Sequence, residues 1–257
     1  MTRLLTPRVW FGAFVLAATL LAIPLTAGAS HSWANYHWAR TSNPFTIKLA
    51  DNVSSTWDSY LATTSSDWSQ SSVLNTTIVP GGSKGRNCRA TSGRVEVCNS
   101  AYGNNGWLGV AQIWVKGSHI TQGTVRVNDT YFNSPTYNTP AWRNLVMCQE
   151  VGHTFGLAHQ DENFTNPNLG SCMDYTNNPG TNQHPNAHDY DQLEAIYAHL
   201  DSTTTVGAAK GSFANAELDS PSAWGQAVAQ DHNGKSDVFV RHFGKGQKVI
   251  TFVIWAE

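Results

Sequence analysis

The chain has 257 residues, of which 13% are charged, and its formal net charge at pH 7 is −2. This charged share is about half of what ordinary globular proteins carry. No basic patch stands out, which argues against a nucleic-acid partner. The length is sufficient for one sizeable hydrophobic core and a small appendage.

The first 29 residues have the pattern of a secretory signal peptide. Arg3 and Arg8 form a positive start, residues 9–21 are almost wholly apolar, and residues 27–29 offer an A-x-A cleavage site. The apolar run is short for a membrane-spanning helix, although an uncleaved anchor is the alternative interpretation. We therefore expect a secreted, extracellular protein that keeps no stable membrane anchor after cleavage.

Composition divides the remaining chain into four parts. Residues 30–44 are rich in aromatic and polar side chains, and are either a short propeptide or an N-terminal segment that packs on the domain. Residues 45–201 form the expected main domain, and residues 202–223 begin with small and polar residues typical of a linker. Residues 224–257 predict a small β-rich extension that packs on the main domain, with a small binding appendage as the alternative.

Hydrophobic periodicity predicts the secondary structure in chain order. Strands are expected at 45–50, 73–79, 94–98, 107–115 and 123–129, helices at about 53–71, 140–157 and 189–200, and a hairpin of two strands at 237–241 and 248–255. Thr139 and Pro140 mark the start of the second helix, because proline is favoured at the first helical position. This mixture of elements predicts an α+β fold.

The second helix carries the residues that point to chemistry. Gln149 and His153 are four residues apart and therefore point the same way, and Glu150 lies beside the same face. Gly156 follows, and glycine readily takes the left-handed conformation that ends a helix and turns the chain. That turn would bring His159 to His153, so that both could meet one metal ion.

Residues 149–159 resemble the long zinc motif of the metzincin metallopeptidases, H-E-x-x-H-x-x-G-x-x-H, with Gln149 in place of the first histidine. The gametolysin-like branch of that family is known for a Q-E-x-x-H form. Downstream, residues 172–175 resemble the family's Met-turn, in which Met173 would form an apolar floor under the metal. Tyr175 would either hydrogen-bond the oxyanion of the reaction or simply pack after the turn.

The resemblance implies a metzincin-like catalytic domain over residues 45–201. Its expected architecture is a twisted mixed β-sheet of about five strands with an active-site helix, a Met-turn and a C-terminal helix, to which the small β extension is added. The implied activity is that of a secreted zinc-dependent endopeptidase, which would hydrolyse protein or peptide substrates as a monomer.

The same resemblance assigns the catalytic groups. Gln149, His153 and His159 would bind one catalytic Zn²⁺, and Glu150 would act as general base toward a metal-activated water. An amide oxygen is a weaker zinc ligand than an imidazole nitrogen, so Gln149 should weaken metal binding without abolishing it. The alternative is a catalytically inactive metzincin-like extracellular binding protein.

The most apolar predicted strand has an implied role in substrate binding. In metzincins, the strand at this point in the order forms the sheet edge along the cleft, where an extended peptide adds by backbone hydrogen bonds. We assign this substrate edge to Trp107, Leu108, Gly109, Val110 and Ala111. A buried central strand is the alternative interpretation.

Four cysteines, Cys88, Cys98, Cys148 and Cys172, lie in the exported part of the chain. An even number outside the cell suggests two disulfides, with three possible connectivities. We favour Cys88–Cys98, which closes a short loop, and Cys148–Cys172, which would tie the motif helix to the Met-turn. A cysteine zinc site is the alternative, although the chain has no C-x-x-C spacing.

Other polar residues compete for roles near the metal. His184 and His188 precede the last helix and could replace Gln149 as a ligand, although surface histidines are the simpler interpretation. Asp161 and Glu162 follow the last ligand of the motif. They could orient that ligand or bind Ca²⁺, while solvated loop acids are the simpler interpretation.

Overall fold

The computed structural model describes residues 1, 31–83, 85–208 and 218–257. The strands are β1 (His37–Trp38), β2 (Phe45–Asn52), β3 (Leu74–Pro80), β4 (Val95–Ser100), β5 (Trp107–Lys116), β6 (His119–Asn128), β7 (Gln226–Gln230), β8 (Ser236–Gly244) and β9 (Gln247–Trp255). The helices are α1 (Asp58–Trp68), α2 (Asp129–Phe132), α3 (Pro140–His153) and α4 (Ala187–Ile196), with short 3-10 turns at Pro179–Thr181 and Pro221–Ala223. The predicted signal peptide and its cleavage site lie outside the described residues, as do residues 209–217 of the predicted linker.

The strands form one mixed sheet. Eight of them follow the order β3-β2-β4-β6-β5-β9-β8-β7, and β1 pairs with the start of β6. Strands β2, β3, β4 and β6 are parallel, whereas β5, β9, β8 and β7 pair antiparallel. The α+β prediction agrees with this arrangement, but the prediction of about five strands is wrong. Among the described residues the sheet has nine, because the C-terminal extension continues it through β9 and because the N-terminal segment adds β1.

Helix α3 begins where the sequence predicts and ends earlier. The Thr139 side chain accepts a hydrogen bond from the Trp142 amide and caps the helix, and Pro140 occupies its first turn. The helix ends at His153 instead of residue 157, because Gly156 takes a φ of +99° and turns the chain. This early end is the local feature that separates the last histidine of the motif from the helix.

Strand β5 is buried on both faces of the sheet, which explains why it is the most apolar segment. On one face, Leu108 and Ile113 belong to the main core, which lies between the sheet and the helices α1 and α3. On the other face, Trp107 and Val110 pack in a second cluster with Trp224, which is contributed by the C-terminal extension. The extension therefore covers a sheet face that would otherwise be exposed.

The N-terminal segment packs on the turn after α3. The Trp38 indole Nε1 donates to the Thr154 carbonyl oxygen at 2.8 Å, and the Trp33 amide donates to the Gly156 oxygen at 3.1 Å. Trp38 is fully buried. The described part of residues 30–44 is thus an integral part of the domain that supports the motif.

Both predicted disulfides are confirmed. Cys88 is bonded to Cys98, and Cys148 is bonded to Cys172. Within the described ranges, no helix combines the length and the apolar character that crossing a bilayer requires. These two observations are compatible with an extracellular protein.

Candidate metal centre

The motif residues come together at the C-terminal end of α3. Gln149, Glu150 and His153 are fully buried on the helix, and His159 is buried after the turn. The rings of His153 and His159 lie 4.6 Å apart, centroid to centroid, at an angle of 84°. The two imidazoles therefore meet at one place, as the sequence predicts.

Hydrogen bonds fix the orientation of two of these side chains. The Gln149 Nε2 donates to the Cys172 carbonyl oxygen at 2.9 Å, which leaves its Oε1 free to face the site. The His153 Nδ1 donates to the Leu157 carbonyl oxygen at 2.9 Å, because a carbonyl can only accept. The Nε2 of a neutral His153 then carries the lone pair, which is the tautomer that a metal ligand needs.

The buried polar atoms that remain suit a metal ion. Gln149 Oε1, His153 Nε2 and His159 Nε2 are buried and have no hydrogen-bond partner among the described residues. Leaving such a group unsatisfied costs about 1–3 kcal/mol. Several unsatisfied acceptors at one place call for a common explanation, and a cation that takes one oxygen and two imidazole nitrogens supplies it.

Burial shifts the pKa values of Glu150 and His153 at this site. Desolvation raises the pKa of Glu150 well above its usual range, and the backbone amides of Ala111 and Ile254 act in the opposite direction. Desolvation also lowers the pKa of His153 well below its usual range, and a charged His159 would lower it further. His153 is therefore neutral at neutral pH, which is the form that binds a metal.

Carboxylates surround the last histidine. The His159 Nδ1 lies 3.5 Å from Glu162 Oε1 and 3.6 Å from Asp237 Oδ2. A carboxylate on the far nitrogen of a ligating histidine orients its ring and raises its basicity. Glu162 thus occupies the orienting position considered in the sequence, whereas Asp161 accepts a hydrogen bond from the Asn163 amide. Calcium binding stays a prediction.

The Met-turn lies directly under the helix. Met173 is fully buried, and a Cβ placed on Gly152 would come within 2.7 Å of its sulfur. The Met173 amide donates to Ser171 Oγ at 2.8 Å, which holds the turn in place. The disulfide between Cys148 and Cys172 ties the same turn to α3. Met173 accordingly lies where an apolar floor is expected.

Tyr175 is engaged by the C-terminal extension. Its ring is buried and stacks on Phe164 at 4.6 Å. Its hydroxyl lies 3.1 Å from Asp237 Oδ2 and 3.2 Å from the Val253 carbonyl oxygen, both of which accept hydrogen bonds. Desolvation, together with the nearby Asp237, raises the pKa of Tyr175 well above its usual range, so the hydroxyl stays protonated.

The structure does not present Trp107, Leu108, Gly109, Val110 and Ala111 as a free sheet edge, and their role in substrate binding stays a prediction. Strand β9 pairs antiparallel with β5, from Trp107 opposite Trp255 to Lys116 opposite Gln247. The backbone groups that a peptide would use are therefore taken by the chain's own C-terminal strand.

The same strand closes the metal centre. The Phe252 ring stacks on His153 with the centroids 4.3 Å apart and the planes at 6°. Because β9 lies over the site, Glu150 has no exposed surface. Sequence reasoning missed both Phe252 and Asp237, since the C-terminal extension reaches the site only through the pairing of β9 with β5, whose residues are more than a hundred positions away.

The competing histidines lie elsewhere. The His184 Nδ1 forms an ion pair with Asp67 Oδ2 at 2.7 Å, and the His188 ring stacks on His31 at 4.8 Å. The structure brings neither one to Gln149 as a replacement ligand.

Three groups among the described residues could hold a metal ion through His, Asp or Glu side chains: His159 with Glu162 and Asp237, His31 with His188 and Asp189, and His37 with His199 and Asp201.

Gly156 is required by the turn that carries the site. Its φ is +99°, and a Cβ there would overlap the Tyr36 carbonyl oxygen. We expect Gly156→Ala to lower the free energy of unfolding by about 3 kcal/mol or more, as measured by urea denaturation. Gly170→Ala is the matched control, because Gly170 also has a positive φ but a Cβ would find no atom within 4 Å. Equal losses in the two variants would contradict the proposed overlap.

No protein-family model matches the chain, and no curated protein matches it. Among solved structures, the GM1-bound form of the ECX AB5 holotoxin is similar at 14% identity and a TM-score of 0.36, over 59% of this chain and 80% of that one. High choriolytic enzyme 1, a hatching-enzyme zinc-protease from the medaka fish Oryzias latipes, is similar at 10% identity and a TM-score of 0.35, over 64% of this chain and 96% of that one. Both TM-scores are low, and neither similarity establishes a shared fold or function.

Proposed function

We propose that the protein is a secreted zinc endopeptidase of metzincin type whose C-terminal extension closes the active site. The observation that carries the proposal is the set of buried acceptor atoms without partners on Gln149, His153 and His159, with Glu150 next to Gln149 on α3. These three atoms would bind one zinc ion, and Glu150 would be the general base next to it.

The side chains divide the work between them. Gln149, His153 and His159 would hold the ion, which when bound polarises a carbonyl and lowers the pKa of water. Glu150 would accept a proton from the attacking water and deliver it to the leaving amine. Burial raises the pKa of Glu150, and a raised pKa favours uptake of that proton. The Tyr175 ring lies 4.2 Å from the His159 ring, centroid to centroid, and its hydroxyl would donate to the substrate oxyanion once it is released from Asp237.

The C-terminal extension would keep the enzyme latent. Strand β9 occupies the backbone groups of β5 in the antiparallel manner proposed for a substrate, and Phe252 covers His153. Peptide substrates would enter only when β9 moves away, and would then pair with Trp107–Ala111 in its place. We propose extracellular proteins or peptides as the substrates, in keeping with the signal-peptide pattern and the two disulfides.

One observation favours a second candidate function. The acid that would act as general base is completely enclosed by the chain itself, as expected for a catalytically inactive binding protein that keeps the scaffold. The two candidates differ in zinc-dependent turnover. A binding protein would show no cleavage of any peptide, even when β9 is displaced.

Replacement of His159 tests the metal centre directly. We expect His159→Ala to lose one zinc per chain relative to wild type, because the variant lacks one of two strong ligands, and to lose chelator-sensitive cleavage of a mixture of unstructured peptides. Zinc is measured by elemental mass spectrometry of dialysed protein. His184→Gln is the control, since His184 pairs with Asp67 on the surface and should leave zinc content and cleavage unchanged. Equal zinc in wild type and His159→Ala would rule out the site.

A further inference from the structure

Four polar side chains away from the proposed active site converge on one point. We call His37, His119, His199 and Asp201 the His37 cluster. The Asp201 Oδ1 lies 3.5 Å from the Nε2 of His37, 3.1 Å from that of His119 and 3.8 Å from that of His199. The Nε2 atoms of His37 and His199 are 3.2 Å apart. Each imidazole thus presents the same nitrogen to a single carboxylate oxygen.

One hydrogen bond fixes the tautomer of His37. The His37 Nδ1 lies 2.7 Å from the Asn35 carbonyl oxygen and must donate to it, so the Nε2 of a neutral His37 carries a lone pair. That lone pair faces the His199 Nε2 at 3.2 Å and the Asp201 Oδ1 at 3.5 Å. The three atoms are close enough together to bind one cation.

The partners of the cluster hold it in a ligating orientation. Arg40 binds the other carboxylate oxygen of Asp201, with NH1 at 2.9 Å and the backbone amide at 3.2 Å. The Asp201 Oδ1 is therefore left for the imidazoles. His37 is buried and is held through Nδ1, as ligating histidines usually are. His119 and His199 are more exposed, so a metal can reach the cluster from solvent.

We propose that the His37 cluster is a second zinc site, with His37 Nε2, His199 Nε2 and Asp201 Oδ1 as its ligands. Zinc in a tetrahedral site lies about 2.0–2.1 Å from nitrogen and oxygen ligands, which places neighbouring ligand atoms roughly 3.4 Å apart. The separations of 3.2, 3.5 and 3.8 Å among the three ligand atoms match that value. Two imidazoles with one carboxylate favour a borderline ion such as Zn²⁺ over Ca²⁺ or Mg²⁺.

The role of the site follows from the segments that it joins. His37 lies in β1, and His199 and Asp201 follow α4 at the end of the predicted main domain. The ion would fasten the N-terminal segment, which supports the turn after α3, to the end of the main domain.

The test is the zinc content of the full chain, measured by elemental mass spectrometry after dialysis from excess zinc. We expect His199→Gln to bind one zinc fewer than wild type, and zinc to raise the melting temperature of wild type more than that of the variant. His199 is exposed, so the variant should fold. His242→Gln is the matched control, because His242 is exposed on β8 and lies outside the cluster.

The outcomes are distinguishable from those at the proposed active site. If both sites bind zinc, His159→Ala and His199→Gln each lose one ion and the double variant loses both. If only the His37 cluster binds zinc, His199→Gln loses the only ion and His159→Ala loses none. Zinc content equal to wild type in His199→Gln would show that the cluster is only a hydrogen-bonded network, and would overturn the proposal.

Discussion

Glu150→Gln is expected to slow peptide cleavage by about 10²–10⁴-fold while zinc content stays unchanged. Glutamine has nearly the same shape as glutamate but cannot accept the proton of the attacking water. Because the site disfavours a charged group through burial, the neutral amide should not reduce stability. The measurements are steady-state cleavage of unstructured peptides and elemental analysis of the same preparations.

Glu162→Gln is the matched control for that variant. Glu162 is also a glutamate near the metal centre, but it lies beside the His159 Nδ1 on the far side of the ring. Its replacement should change turnover much less, since it only orients a ligand. If Glu150→Gln cleaves peptides as fast as wild type, Glu150 is not the general base.

A cross-link between β5 and β9 is expected to abolish cleavage. Val110 and Val253 are direct partners in the two strands, and both side chains belong to the cluster on the sheet face away from α3. A disulfide in the Val110→Cys, Val253→Cys variant would fix β9 over the site without touching the metal residues. Peptide cleavage by the oxidised variant should fall to background and return under mild reduction. The two single variants, treated identically, control for effects of the reductant.

Weakening the packing of β9 over the site should increase peptide cleavage. Phe252→Ala removes the ring that stacks on His153, and truncation of a buried phenylalanine costs about 3–5 kcal/mol. Since about 1.4 kcal/mol changes a population tenfold, the fraction of molecules with β9 displaced should rise by two orders of magnitude or more. Cleavage should rise with it, and hydrogen exchange of the β9 amides should become faster. Cleavage by the oxidised cross-linked protein at the wild-type rate would contradict a closing role for β9.

The parts of the site that depend on local sequence could be predicted. The spacing of Gln149 and His153 places both on one helical face, and Gly156 accounts for the turn toward His159. The Cys148–Cys172 disulfide joins two segments that lie close together along the chain. In each of these cases, residues that are close together in the sequence determine the geometry.

The parts that depend on distant pairing could not be predicted. The pattern of β5 is equally compatible with a substrate edge and with a central strand, and only the partner on its open side decides between them. That partner is β9, whose own pattern says nothing about where it pairs. Asp237 and Asp201 gave no signal either, because a single carboxylate acquires its role only from the imidazoles that the fold brings to it.

The place of β9 in the sheet also has a consequence for how the chain must fold. Strand β5 receives its second neighbour from β9, which is synthesised well after it, so the growing polypeptide carries an open, apolar strand until β9 has docked. Pairings between such distant segments form slowly, and an open strand can be captured by another chain in the meantime. Efficient production therefore depends on keeping incompletely folded chains apart until β9 has docked.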